Sequence, residues 1–179
     1  MKMVLPQDFS VEDRKRMAAD LFRKGYNCCQ SVLLTFADVL ELNKLATAKV
    51  LSVIGSGFGG GMARMREVCG SFSAAVCLSG FISPADNPDV KDARKNNYAL
   101  VQELAETFKE RNGGSIICRE LLGLDRRVKE GPTPSTRTEE FYRKRPCISI
   151  ISETAGIVAE RFIELSKEKE VPQNEYYFF

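Results

Sequence analysis

The chain has 179 residues and carries 26 Lys and Arg against 24 Asp and Glu, a net charge of +2. That length suits one domain with a real core, and so small a net charge gives no global pull toward nucleic acid or an anionic membrane. Histidine is absent, which excludes Cys-His and Ser-His nucleophile pairs, histidine-ligated haem, Rieske centres and mixed Cys/His zinc sites.

From the N-terminus, residues 1–9 read as a lead-in without the apolar stretch and small-residue cleavage site of a secretory signal. Ser10 then caps a first helix over about 11–24, with Met17, Ala18, Leu21 and Phe22 at helical spacing and Gly25 just past its end. Asn27 is a good N-cap for a second helix carrying Val32, Leu33, Phe36, Val39 and Leu40. Cys28 and Cys29 fall in its first turn, where free amides and the positive dipole end favour a thiolate. A third helix is expected over about 44–53, stopping at a glycine-dense loop.

The small and apolar residues from Arg64 to about Ile82 suggest a fourth helix, ended by Ser83-Pro84. Within it Cys69 and Cys77 would lie about 80° apart around the axis. Asp89 is the expected cap of a long helix ending before Gly113-Gly114, and Ser115 the expected cap of a short one holding Cys118. Residues 124–146 are polar and proline-containing and read as a long loop with one turn near 138–144, a length often functional or mobile. A last helix opens at Pro146-Cys147 with an apolar stripe through Ile150, Ile151, Ala155, Val158, Phe162 and Ile163. Residues 169–179 are a tail whose aromatics would fray or dock on a partner. The expected fold is all-α: a single-domain bundle of about six helices, with its core over about 10–168.

Two motif-like features need weighing. Gly55-Ser-Gly57-Phe-Gly59-Gly60 matches G-x-G-x-x-G, but a dinucleotide fingerprint needs a strand before it and an acidic residue about 20 positions later. The flanks read helical, so the glycines are expected to allow close helix packing and to offer amides to sulfur. The pairs Glu12–Asp13, Glu139–Glu140 and Glu168–Glu170 sit in polar surroundings and read as solvated surface, as do the mixed charges from Asp125 to Arg145.

The six cysteines, at 28, 29, 69, 77, 118 and 147, carry the chemistry. No apolar run is long enough to cross a bilayer, so the expected location is cytoplasmic, where thiols serve metal binding or catalysis more often than structural disulfides. Cys28, Cys118 and Cys147 each fall near an expected helix start, and Cys69 follows the glycine loop. Four thiolates converging in that way suit a Cys-ligated iron–sulfur cluster or a Cys₄ zinc site. Buried cysteines acting as small hydrophobes are the plain alternative, strongest for Cys77.

These residues also carry a resemblance. Gly25-Tyr26-Asn27-Cys28-Cys29-Gln30-Ser31-Val32, Gly57-Phe58-Gly59-Gly60-Gly61-Met62, Val68-Cys69-Gly70, Cys118-Arg119-Glu120-Leu121-Leu122-Gly123 and Cys147 together resemble the C_GCAxxG_C_C family, whose members are classed as redox-active. The resemblance implies that Cys28, Cys69, Cys118 and Cys147 are the four family cysteines, with Cys29 and Cys77 as extras. The family's short glycine-cysteine motif reads here Cys69-Gly70-Ser71-Phe72-Ser73-Ala74, with Ser and Ala at two of its small positions. A similar domain occurs in split-Soret cytochrome c, where such cysteines are associated with an iron–sulfur centre; haem does not carry over, since this chain lacks C-x-x-C-H.

The expected function is a redox-active protein whose four cysteines bind an iron–sulfur cluster for electron transfer or sensing. The alternatives are a thiol–disulfide oxidoreductase using Cys28 and Cys69 as low-pKa thiols, and a structural Cys₄ zinc module. The expected partner is an unidentified redox protein, without nucleic acid or membrane insertion, and the reading admits a homodimer.

Overall fold

A computed structural model describes residues 3–125 and 130–167. Within them the fold is all-α. The helices are α1 (Val11–Arg23), α2 (Cys28–Thr35), α3 (Ala37–Leu42), α4 (Ala48–Gly55), α5 (Gly70–Ile82), α6 (Ala93–Arg111), α7 (Cys118–Leu121), α8 (Glu139–Lys144) and α9 (Cys147–Lys167). One 3-10 turn, Ser56–Phe58, follows α4. The expected tail and the pair Glu168–Glu170 lie outside the described residues.

Local chemistry explains most starts and stops. The Ser10 hydroxyl accepts from the Asp13 amide, and Gly25, at φ +106°, lets Tyr26 N–H reach back to the Leu21 carbonyl. Asn27 and Gln30 form a reciprocal capping box at α2. Thr138 caps α8 through the Phe141 amide, so the turn expected near 138–144 is a short helix.

Several boundaries differ from expectation. The second helix breaks at Phe36, which leaves helical geometry at φ −110°, ψ 11° while its ring stays fully buried against Phe162. The third begins at Ala48 because Thr47, not a residue near 44, caps it. The long helix is preceded by Asp92 in the left-handed region rather than capped by Asp89. Ser115 accepts from the Ile117 amide one turn ahead of α7, which Ile117 itself precedes.

The largest difference concerns the helix expected from Arg64. Met62, Ala63, Arg64 and Arg66 all take positive φ, between 48° and 69°, and α5 starts only at Gly70. Cys69 is therefore the N-cap of α5, so the 80° separation from Cys77 along one helix does not apply. Residues 66–69 pair instead with the chain entering α7. Cys69 N–H donates to the Ile116 carbonyl at 2.8 Å, Cys118 N–H to the Glu67 carbonyl at 2.6 Å, and Arg119 N–H to the Arg66 carbonyl at 3.1 Å. Tertiary pairing has overridden helix propensity here.

The core has two parts. One gathers Phe22, Val32, Leu33, Phe36, Leu78, Ile151, Val158 and Phe162, where α1, α2, α5 and α9 meet. The other, Phe72, Leu104, Phe108, Ile150 and Ile157, lies between α5, α6 and α9. Burying whole side chains of this size contributes about 1.5–3 kcal/mol each. Because α9 belongs to both parts, its first residue is held rigidly against α2 and α5.

Candidate four-cysteine site

Cys28, Cys118 and Cys147 are the first residues of α2, α7 and α9, and Cys69 is the N-cap of α5. All four line one cavity of about 380 Å³. The N-termini of α2, α5 and α9 converge there because these three helices pack on one another, and the 66–69 with 116–119 pairing places Cys118 beside Cys69. Among the described residues, no three His, Cys, Asp or Glu side chains are already grouped closely enough to hold one metal ion.

Two glycines make the close approach possible. A Cβ on Gly70 would stand 2.5 Å from Cys28 Sγ and 2.5 Å from the Phe58 carbonyl oxygen. A Cβ on Gly61, whose φ is +69°, would stand 2.6 Å from Cys118 Cβ. Both are far inside van der Waals contact, so the backbone can lie against the two cysteines only as glycine. The glycine run thus shapes the thiol cavity. It is preceded by helix α4 and a 3-10 turn rather than a strand, so the context of a dinucleotide fingerprint is absent.

The electrostatics correct one expectation. Position at a helix start does not depress the pKa of Cys28, Cys118 or Cys147. Burial, reinforced by the neighbouring Cys69, pushes the Cys28 thiol up, with the Gly60 amide opposing weakly. Burial, then Cys69 and Cys118, takes Cys147 up to about 11. Burial and Cys69 likewise raise Cys118 against the opposing Arg66. Desolvation by burial outweighs the dipole at these three thiols, and each thiolate would repel the next. Cys28, raised by burial, thus lacks the low pKa that the oxidoreductase reading expects of it.

Three sulfurs nonetheless have a hydrogen-bond donor at hand. The Gly60 amide faces Cys28, the Ser71 hydroxyl lies 3.1 Å from Cys69 Sγ, and Arg66 Nη1 lies 3.9 Å from Cys118 Sγ. Ser71, a departure from the family's small-residue motif, is fully buried and gives its hydroxyl to the site.

Arg66 belongs to a clamp that sequence reasoning missed. Its Nε donates to Glu130 Oε1 at 2.6 Å and its Nη2 to Oε2 at 2.5 Å. Arg64 binds the same carboxylate and donates from Nε to the Gly131 carbonyl at 2.8 Å. These contacts fasten the 130–137 segment over the cavity, where Pro132, Pro134 and Ser135 line it. Arg137 holds the other end, donating to the Phe22 and Tyr26 carbonyls with its guanidinium 4.2 Å from the Phe22 ring. Glu130, Arg137 and Arg145 were expected to be solvated loop; Arg137 and Arg145 face the cavity and Glu130 is mostly covered. No signal in one sequence pairs Glu130 with arginines more than 60 positions away.

Cys29 and Cys77 do not line the cavity. Cys29 is fully buried in the core, and Cys77 packs against the same cluster. The carboxylates of Glu12, Asp13, Glu139 and Glu140 stand in the first turns of α1 and α8, where they oppose the positive dipole end. No described helix is long and apolar enough to cross a membrane.

Neither a curated protein nor a solved structure matches the chain. A family model described as "Putative redox-active protein (C_GCAxxG_C_C)" matches residues 26–161, a span containing every cavity cysteine. The chain belongs to the C_GCAxxG_C_C family.

Proposed function

We propose that this chain is a redox-active protein in which Cys28, Cys69, Cys118 and Cys147 hold an iron–sulfur cluster, serving electron transfer or redox sensing. The observation that carries the reading is that four thiols, each at a helix start, line one cavity in a histidine-free chain. The donor set is the all-thiolate one that such clusters take. Burial keeps these thiols protonated in the metal-free chain, so iron would displace their protons and its uptake would depend on pH.

A bound cluster would supply one-electron transfer. The chain's own residues do the rest. Gly61 and Gly70 keep backbone against Cys118 and Cys28. Ser71, Arg66 and the Gly60 amide donate toward three sulfurs, which stabilises the more electron-rich form. Pro132, Pro134 and Ser135 of the 130–137 segment, with Phe22, Phe141 and Ile150, line the cavity around it.

Anaerobic reconstitution with iron and sulfide, followed by visible absorption and electron paramagnetic resonance, tests this. Charge-transfer bands that weaken in each of Cys28→Ser, Cys69→Ser, Cys118→Ser and Cys147→Ser, but not in Cys29→Ala or Cys77→Ala, are expected. Stoichiometric zinc with no redox transition would instead establish the Cys₄ zinc reading, and a disulfide trapped between two of the four thiols the oxidoreductase reading.

A further inference from the structure

We propose that the cysteine cavity is also a binding site for a small organic anion with an apolar body, held by Arg145. This goes beyond the cluster proposal and does not require iron to be bound. The cavity, about 380 Å³, falls within the range of small-molecule sites. Among the described residues, Arg64, Arg66, Arg137 and Arg145 line it and no Asp or Glu does. Glu130 neutralises part of that charge from outside the wall through Arg64 and Arg66, and Arg137 is engaged by backbone carbonyls.

Arg145 is different. Its guanidinium lies 4.7 Å from the centre of the Phe141 ring and, although its charge reaches Glu130, it lies within ion-pair distance of no described carboxylate. Stacking on a ring fixes the plane of a guanidinium while leaving its N–H edge for a ligand. The wall around it is apolar, formed by Phe22, Phe141, Leu121, Pro134, Ile150 and Ile151. A cation without an ion pair in an apolar wall selects a ligand with an anionic end and a hydrocarbon body, because an inorganic ion would leave the apolar surface unfilled. Arg145 makes a charge-assisted pair with a carboxylate, and Leu121, Ile150 and Ile151 offer apolar surface to the ligand's body.

Benzoate is the probe, and benzamide, of nearly the same shape without the charge, is its comparison. Isothermal titration into the reduced, iron-free chain is expected to show saturable benzoate binding at least about tenfold tighter than benzamide. Arg145→Met is expected to weaken benzoate at least about tenfold, while Arg143→Met, at an exposed position that does not line the cavity, leaves it unchanged. No benzoate binding, or equal binding of the two probes, overturns the proposal without any variant. So does unchanged benzoate affinity in an Arg145→Met protein that melts like wild type. Iron and sulfide content measured on a reconstituted portion reads the cluster separately. A chain that takes up iron but ignores benzoate refutes this inference alone, and one that binds benzoate but no iron refutes the cluster alone.

Discussion

Replacing Gly70 and Gly80 by alanine compares two glycines of the same helix in opposite surroundings. Gly80 is exposed near the end of α5, and an added Cβ would meet nothing within 4 Å. Alanine there gains helix propensity and loses unfolded-chain entropy, a stabilisation of about 0.5–1 kcal/mol. At Gly70 the same methyl would stand 2.5 Å from both Cys28 Sγ and the Phe58 carbonyl oxygen. The backbone oxygen cannot swing aside as a side-chain tip can, so α2, the 3-10 turn or α5 must shift by about 1 Å to restore contact distance. Overpacking of this kind costs about 1–3 kcal/mol, against which the propensity gain is at most about 1 kcal/mol. For a chain of this length the net loss corresponds to a melting temperature lower by up to about 10 °C, and Gly80→Ala to one higher by about 1–4 °C. Calorimetry of the two reduced variants, with alkylation of Cys28 as a second readout, checks the signs. A Gly70→Ala protein as stable as Gly80→Ala, with Cys28 equally protected, would refute the claim that the glycine sets the sulfur's position.

Glu130→Gln should release Arg64 and Arg66 together and destabilise the protein by about 1–3 kcal/mol, with faster proteolysis near residues 130–137 as the local signature. Hydrogen bonding from Arg66 holds the Glu130 carboxyl below its usual 4.5. Its contribution is therefore fully present above about pH 4.5 and is lost as pH falls through the depressed value, a loss that Glu130→Gln should abolish in acid titrations of stability. In the metal-free reduced chain, Cys147 is raised from 9.0 to about 11, and a raised value stabilises the fold below the unfolded pKa. That contribution declines as pH rises from about 9 to 11, so the metal-free protein should lose stability there and the cofactor-loaded protein should not, as urea melts across pH would record. Cys29→Ser should destabilise by about 1–3 kcal/mol by burying a hydroxyl in an apolar core, yet leave iron binding intact.

The helices, and the thiols at their starts, were readable because their signals are local. Asn27, Gly25 and Pro146 announce boundaries within a few residues, and the 3.6-residue period of the last helix runs unbroken. The stretch from Met62 to Arg66 was not readable, since its residues favour a helix and nothing nearby forces positive φ. What holds it open is pairing with the α7 segment more than 45 residues later and the grip of Glu130 on Arg64 and Arg66. The same distance in sequence hid the electropositive wall of the cavity. Arg145 and Glu130 look like members of one mixed, solvated charge run until the fold turns Arg145 to the cavity and Glu130 to Arg64 and Arg66. Thiol ionisation was misjudged for a related reason: a helix start is visible in a sequence, whereas the desolvation that outweighs it depends on how three helices close around the cavity.

The central claim is that four thiols act together on one cofactor. Iron and acid-labile sulfide measured on anaerobically purified protein test it most directly, for wild type and for a chain with Cys28, Cys69, Cys118 and Cys147 all changed to Ser. The account predicts iron and sulfide in near-equal, stoichiometric amounts in the first and neither in the second. A folded wild-type protein that holds no iron or sulfide after anaerobic reconstitution would contradict it.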